Sequence, residues 1–390
     1  MPVKKHRTSY SSSADASSGT NGGPSQRNGR QWDQADIRAP HPGAQQAENF
    51  GIVLREFYPP EMGNARCDAY NNGTLERPIE TLNRAVEATE KDRKSIKPKN
   101  AVVHWFKSDL RLNDNRALHR AYGFATKNDV PLICLYILSP QDLTAHLASP
   151  ARVDLTLRTL GLLKKELAKL DIPLYMETQE KRRQVPARVV ELCEKWSVSH
   201  LYANLEYEVD ELRRDAKLVT LCCDHGIAFE TVHDTCVVTP GELHSQQGRQ
   251  FAVYIPWYRA WMAYVSENPE TLDVRDAPDI NARNRRSHFA DLFDSTVPEA
   301  PANKRLGHDE KMRFKELYPE GEHAAMDRLK AFLEKKVKAY DEKRSILSGS
   351  HTSILSPYFA SGALSARTAV ATAREANNKS LDRNSKGLAS

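Results

Sequence analysis

With 390 residues, 40% of them hydrophobic, the chain has material for about two or three packed domains. Its formal charge of +5 permits a polyanionic partner without demanding one. No apolar run approaches the ~20 residues that a membrane-spanning helix needs, and no apolar-cored leader follows Met1, so no membrane association is expected and the home is read as cytoplasmic, nuclear or organellar. Cys67, Cys134, Cys193, Cys222, Cys223 and Cys236 show no C-x-x-C spacing, which argues for reduced thiols and against a metal site.

Residues 1–49 are rich in Ser, Gly, Asn and Gln and nearly free of large apolar side chains, so a disordered tail is expected. Its basic cluster Lys4, Lys5, His6 and Arg7 reads equally as an import address or a solubilising end. Residues 50–98 change character. Ile52, Val53, Leu54, Phe57 and Tyr58 form an apolar run, and Ile79, Leu82, Ala85 and Val86 recur at helical spacing, which predicts a partly ordered extension packed on the next domain.

Over 99–266 apolar runs alternate with helical patterns. Strands are predicted at Ala101 to Phe106, Val130 to Leu138, Pro173 to Met176, His200 to Leu205 and Ile227 to Val232. Between them, Val153, Leu157, Leu160, Leu163, Leu167 and Leu170 mark one face of a long helix, Val185 to Trp196 a second, and Glu208 to His225 a third that Gly226 closes. The expected fold is α/β, a Rossmann-like five-stranded parallel sheet with flanking helices, whose ligands bind beyond the carboxyl ends of the strands. The loop after the first strand is charged: Lys107, Asp109, Arg111, Asp114 and Arg116 are read as pairing with one another, with Asn113 or Asp114 capping the next helix. No phosphate-cradling glycine motif is present. An aromatic-rich helix runs from Tyr254 to Val265. The proline-punctuated stretch 267–307 reads as an interdomain linker, and 308–390 as the start of a helical domain with helices at Glu322 to Lys343 and Ala363 to Ala376.

AVVHWFKSDLRLNDN (from Ala101) and YFASGALSAR (from Tyr358), with LTAHLASPAR, LYANLEYEVDELRRD and TSILSPY in order between them, resemble the motifs of the DNA photolyase and cryptochrome family. The likeness covers roughly Ala101 to Ser390 and is nearest to the photolyases of cyclobutane pyrimidine dimers that carry a folate antenna. It implies an α/β antenna domain, a long linker and an all-helical FAD-binding domain, of which this chain holds a C-terminally truncated start. The implied activity is light-dependent repair of pyrimidine dimers in UV-damaged DNA by an electron from reduced FAD, in the nucleus or mitochondrion, by a monomer. This length of chain is expected neither to retain FAD one to one nor to repair DNA. Competing readings are a cryptochrome-type blue-light receptor and a non-enzymatic antenna-domain remnant.

The same resemblance implies residue roles. His146, Asp210 and Glu211 match the contacts of 5,10-methenyltetrahydrofolate, where a carboxylate suits the N–H donors of a pterin. Asp210 stands where many relatives have Asn, keeping an acceptor oxygen and losing the amide donor. Tyr340, Thr352, Ser353, Ile354, Leu355 and Ser356 match a flavin-contacting tyrosine and loop, and Arg344 a contact to DNA phosphates. From residue pattern alone, Glu211 reads as a surface carboxylate paired with Arg214 one turn on.

Overall fold

The computed structural model describes residues 68–70, 72–248, 250–281, 289–343, 345–346 and 351–377. The expected tail over 1–49, the run from Ile52 to Tyr58, Cys67 and Arg344 lie outside the described residues.

β1 (Ala101–Phe106), β2 (Leu132–Leu138), β3 (Leu174–Thr178), β4 (Val198–Asn204) and β5 (Ala228–Val232) form one parallel sheet in the order β3-β2-β1-β4-β5. Side chains alternate across it: Ala101, Val103 and Trp105 enter one core, Val102 and Phe106 the other. Because both faces are covered, β1 is buried throughout, which explains a strand sequence with little polar alternation. α1 (Pro78–Ala88) and α2 (Glu90–Ser95) precede the sheet, and α3 (Arg116–Lys127), α4 (Pro140–Ala145), α5 (Pro150–Lys169), α6 (Val185–Lys195) and α7 (Val209–Asp224) connect its strands. α3 and α5 cover one face. α6 and α7 cover the other, and α1 packs on α7 with Leu82 in the same core, as the helical spacing of the extension predicts. Cys134, Cys193 and Cys222 are buried free thiols in these cores.

α8 (Tyr254–Glu267) leads into the proline-rich stretch, which runs along the sheet's edge and fills its polar needs. Asn281 accepts from Leu132 N at 2.9 Å and donates to Leu132 O at 2.9 Å and Asp171 O at 3.0 Å. Ser295 Oγ donates to Leu174 O at 2.8 Å and accepts from Met176 N at 3.2 Å, covering the open side of edge strand β3. Between them α9 (Ala290–Phe293) buries Leu292 in the α6/α7 core.

The helical part contains α10 (His308–Leu317), α11 (Gly321–Lys335), α12 (Tyr340–Lys343), α13 (Ser356–Ser361) and α14 (Ala366–Ala376). Its helix boundaries depart from the sequence expectations at three places. The helix predicted over Glu322 to Lys343 breaks at Lys336, where the cationic run Lys335, Lys336, Lys338 suits a helix end. The helix predicted from Ala363 starts at Ala366, because Ser365 Oγ caps it by accepting from Arg367 N at 3.1 Å while Ala363 and Leu364 turn into the core around Leu329, Leu355 and Tyr358. α10 escaped the periodicity reading because it buries nothing; Glu310 accepting from Gly307 N at 3.0 Å secures its start. Among the described residues no helix is long and apolar enough to cross a membrane.

The loop after β1 also departs from expectation. The cap of α3 is Asn115, whose Oδ1 accepts from Leu118 N at 3.0 Å, rather than Asn113 or Asp114. Nor do the loop charges chiefly pair with one another. Lys107 reaches Asp215 on α7 at 2.9 Å, Arg111 bonds Asp234 beyond β5, and Asp114 accepts from Arg367 Nε of α14 at 3.1 Å and from the Ser365 hydroxyl. Arg367 is fully buried and also holds Asp234. Glu322 of α11 accepts from Leu112 N at 2.6 Å and Asn113 N at 3.0 Å. Asp109, Asn115 and Asn204 bond one another in the gap between β1 and β4. The strand-order switch point, the usual ligand crevice of such a sheet, is therefore filled by protein and clasped to the helical part.

Candidate functional site

A second cluster stands at the same edge of the sheet, built from the segments after β2, β3 and β4. His146 ends α4, Arg182 opens a short 3-10 turn (Arg182–Gln184), and Asp210 and Glu211 lie in the first turn of α7. Each is fixed locally. Ser139 Oγ accepts from Asp142 N at α4's start, and Arg182 N donates to Gln141 Oε1 at 3.0 Å.

His146 Nε2 donates to Glu211 Oε1 at 2.8 Å. Arg182 lies between three carboxylates: Nε to Asp142 Oδ1 at 2.7 Å, one terminal nitrogen to Asp210 Oδ2 at 3.1 Å, the other 3.6 Å from Glu211 Oε1. Glu211 is 5% exposed, and its second oxygen, Oε2, is buried with no hydrogen-bond partner among the described residues. A buried carboxylate oxygen without a donor is costly unless something supplies one. Burial pushes the Glu211 carboxyl up, but the His146 bond and the charges of Arg214 and His146 outweigh it and hold it down to about 2. The bond to Glu211 raises His146 above the usual histidine range, against its partial burial. Burial raises Asp142 in spite of Arg182.

These opposite shifts give the pair opposite pH dependences. Glu211's contribution is present above its ordinary carboxyl range and is lost only as pH falls toward about 2. His146's contribution is full below its ordinary value of 6.5 and is lost as pH rises through its raised folded value. The His146 imidazole resonances should therefore titrate above 6.5, and Glu211→Gln should bring the midpoint down; a wild-type midpoint at or below 6.5 in an NMR titration would contradict the pairing.

The arrangement holds one buried, unpartnered anionic acceptor near a cationic group, the polarity that N–H groups on one edge of a planar ligand would answer. Ligand atoms of Asp142, His146 and Glu211 also lie within 4.8 Å of one another, a spacing compatible with a metal ion. The guanidinium of Arg182 already faces Asp142 and Glu211, and its fixed positive charge opposes a second cation there.

The structure thus brings His146, Asp210 and Glu211 together. The surface-pair reading of Glu211 is corrected: it is buried on His146, and Arg214 instead bonds Glu206 and Asp215. Sequence reasoning missed Asp142 and Arg182; EKRRQ carries no spacing signal, and only the fold brings Arg182 to the carboxylates. Tyr340 and the Thr352 to Ser356 loop lie apart from this cluster, in the helical part. Tyr340 meets Phe332 edge-on at 5.5 Å, Thr352 and Ser356 are exposed, Leu355 is buried, and Ile354 holds φ of +53°, uncommon for a β-branched residue. α13, which follows this loop, has no side-chain cap bond.

In fold, the chain is like the crystal structure of a bacterial class III photolyase from Agrobacterium tumefaciens, with a TM-score of 0.58 at 20% identity over 75% of this chain and 56% of that one. Residues 102–275 match the family model for DNA photolyase. The chain is 52% identical over 357 residues to the deoxyribodipyrimidine photo-lyase of Neurospora crassa, covering 90% of this chain and 58% of the relative. It is 28% identical over 349 residues to the mitochondrial deoxyribodipyrimidine photo-lyase of Saccharomyces cerevisiae, covering 85% of this chain and 60% of the relative. The chain is thus similar to DNA photolyases over its α/β part and into its helical part, and it spans less than two thirds of the length of these two relatives.

Proposed function

We propose that this protein serves light-driven repair of cyclobutane pyrimidine dimers in DNA, a deoxyribodipyrimidine photo-lyase activity, with its α/β part holding a folate antenna. The observation that carries the repair reading is the 52% identity to the Neurospora photo-lyase, which runs through both the α/β and the helical parts. The observation that supports an antenna is the buried, unpartnered Glu211 Oε2. A pterin fits the donor set because its amino and ring N–H groups need an anionic acceptor, which Glu211 presents already ionised and held by His146. When bound, the methenyl folate supplies absorption of near-UV and blue light.

Toward FAD, the exposed hydroxyls of Thr352 and Ser356 and the backbone of Ser353, Ile354 and Leu355 are suited to a pyrophosphate, and Tyr340 to a flavin contact. Reduced FAD supplies the electron that splits the dimer. The dimer must leave the helix to meet a flavin, and a lesion that already stacks poorly lowers that cost. The substrate is UV-damaged DNA, approached by a monomer whose basic balance favours phosphates, with Arg344 assigned to the DNA backbone. Nucleus or mitochondrion is the proposed place of action; the yeast relative is named as mitochondrial.

A chimera in which this chain replaces the matching part of the Neurospora relative tests the reading. It should remove cyclobutane dimers from irradiated oligothymidylate in blue light and leave them in the dark. Equal dimer counts in light and dark, from a folded, flavin-loaded chimera, would overturn it.

A further inference from the structure

We propose that the groove between α5 and α10 is a docking surface for an acidic protein segment that carries an apolar anchor side chain. The groove has a volume of about 520 Å³. Arg158, Gly161, Leu162 and Lys165 of α5 line it, facing His308, Lys311, Met312 and Lys315 of α10. On each helix the four residues stand at i, i+3, i+4 and i+7, so each helix turns a single stripe toward the groove. Leu162 and Met312 supply its apolar walls, and lysines stand beside them on the same stripes.

The charges are sorted between the groove and the rest of the two helices. Asp154 and Glu166 of α5 and Asp309, Glu310 and Glu316 of α10 are not among the lining residues. Glu320, the one acid that lines the groove, is held by a terminal nitrogen of Arg158 at 2.6 Å, and Asp154 holds Arg158 Nε at 2.7 Å. Arg158 with these two acids sums to −1, and Lys165, Lys311 and Lys315, which bond no carboxylate among the described residues, bring the total to +2. Met312 is 58% exposed and α10 buries nothing, so neither its methionine nor its lysines serve the core. Charge complementarity therefore selects an acidic occupant. The apolar walls select one with a side chain to insert, and a flexible methionine adapts to it. A nucleic-acid backbone would satisfy the lysines but leave Leu162 and Met312 uncovered, which favours a protein segment.

The test is fluorescence polarisation of a labelled peptide, Glu-Asp-Leu-Phe-Glu-Asp, titrated with the full chain. Wild type should bind it at micromolar concentration. Lys311→Glu/Lys315→Glu should weaken binding by about 10-fold or more, since each reversal turns an attraction into a repulsion. Met312→Ser, or a peptide with Ser in place of Leu and Phe, should weaken it by about 3-fold or more. Arg313→Glu, on the same helix but outside the lining, should stay within about 3-fold of wild type. The reversed peptide Lys-Arg-Leu-Phe-Lys-Arg should prefer the double variant to the wild type. These positions are exposed, so circular dichroism should show every variant folded. No binding by the wild type, or equal losses in Arg313→Glu and the double variant, would overturn the proposal. So would displacement of the peptide by oligothymidylate, or indifference to the loss of Leu and Phe, since either would reduce the groove to a patch of surface cations.

Discussion

Arg367→Met is expected to destabilise the chain by about 3–5 kcal/mol, the usual cost of stranding buried charges by removing one partner. Arg367 is fully buried, as is Asp114, and Asp234 is 2% exposed. Its guanidinium donates to Asp114 Oδ1 at 3.1 Å, to Asp234 Oδ1 and to the Asp234 carbonyl. Arg111 remains on Asp234 after the substitution, but among the described residues the donors left to the Asp114 carboxylate are the neutral Ser365, Thr368 and the Arg275 amide. A urea titration should show the loss as a lowered midpoint. Because the network is shielded from solvent, the deficit should change little between low and high salt. A midpoint within error of wild type would mean that the helical part is not held by this clasp. The double variant Arg367→Met/Asp114→Asn should recover part of the loss, since it removes the uncompensated carboxylate as well.

Gly362→Ala is expected to be comparably damaging, for a steric reason. Gly362 ends α13 at φ of +73°, the left-handed region that a side chain disfavours. An added Cβ would come within 2.6 Å of Asp109 N and closer still to Ser108 O and Asp109 Cα, all backbone atoms that no rotamer change can move aside. The turn could then no longer seat against the β1 loop, losing Leu110 N to Ser361 O at 3.2 Å and Arg111 to Gly362 O at 3.1 Å. A loss of about 3 kcal/mol or more is expected, beyond the ~1 kcal/mol of backbone strain alone. Gly73, also at positive φ but with no atom within 4 Å of an added Cβ, is the control: Gly73→Ala should cost only the strain. Equal small effects at both positions would contradict the close approach.

The sheet was legible because its strands are short unbroken apolar runs between turn signals, and the two-faced burial of β1 is what such a run requires. The path of the linker was not. Nothing in the sequence of 267–307 says that Asn281 and Ser295 complete the sheet's hydrogen bonding, because each acts through a single polar side chain at long range. The charged loop was legible as a locked element and misread as self-locked: alternating signs at Lys107, Asp109, Arg111 and Asp114 look like local pairs, whereas Asp234 and Arg367, more than a hundred residues away, take up the central charges. Arg367 lies inside the family-like motif YFASGALSAR without a role that the motif assigns, since a lone arginine after Ser-Ala reads as an exposed helix cation until its burial is known.

The candidate site was half legible. His146, Asp210 and Glu211 entered through family resemblance, and the structure adds that His146 and Glu211 bond directly while Asp210 reaches them only through Arg182. Local charge patterning pointed the wrong way, because Glu211 and Arg214 at helical spacing suggest a surface pair although both side chains turn inward to different partners. The exposed apolar side chains at the start of α8, Val253, Tyr254, Ile255 and Trp257, lie on a helix whose far end packs Val265 against the Val237 and Val238 cluster.

The most direct measurement is a titration of the purified chain with 5,10-methenyltetrahydrofolate beside Glu211→Gln. The wild type should saturate one to one at micromolar ligand with a shifted absorption band. Glu211→Gln, which exchanges an anionic acceptor for an amide, should bind about 10-fold or more weakly. Failure of the folded wild type to saturate, or equal affinity of the two proteins, would contradict the claim that the buried oxygen of Glu211 is the centre of a pterin pocket.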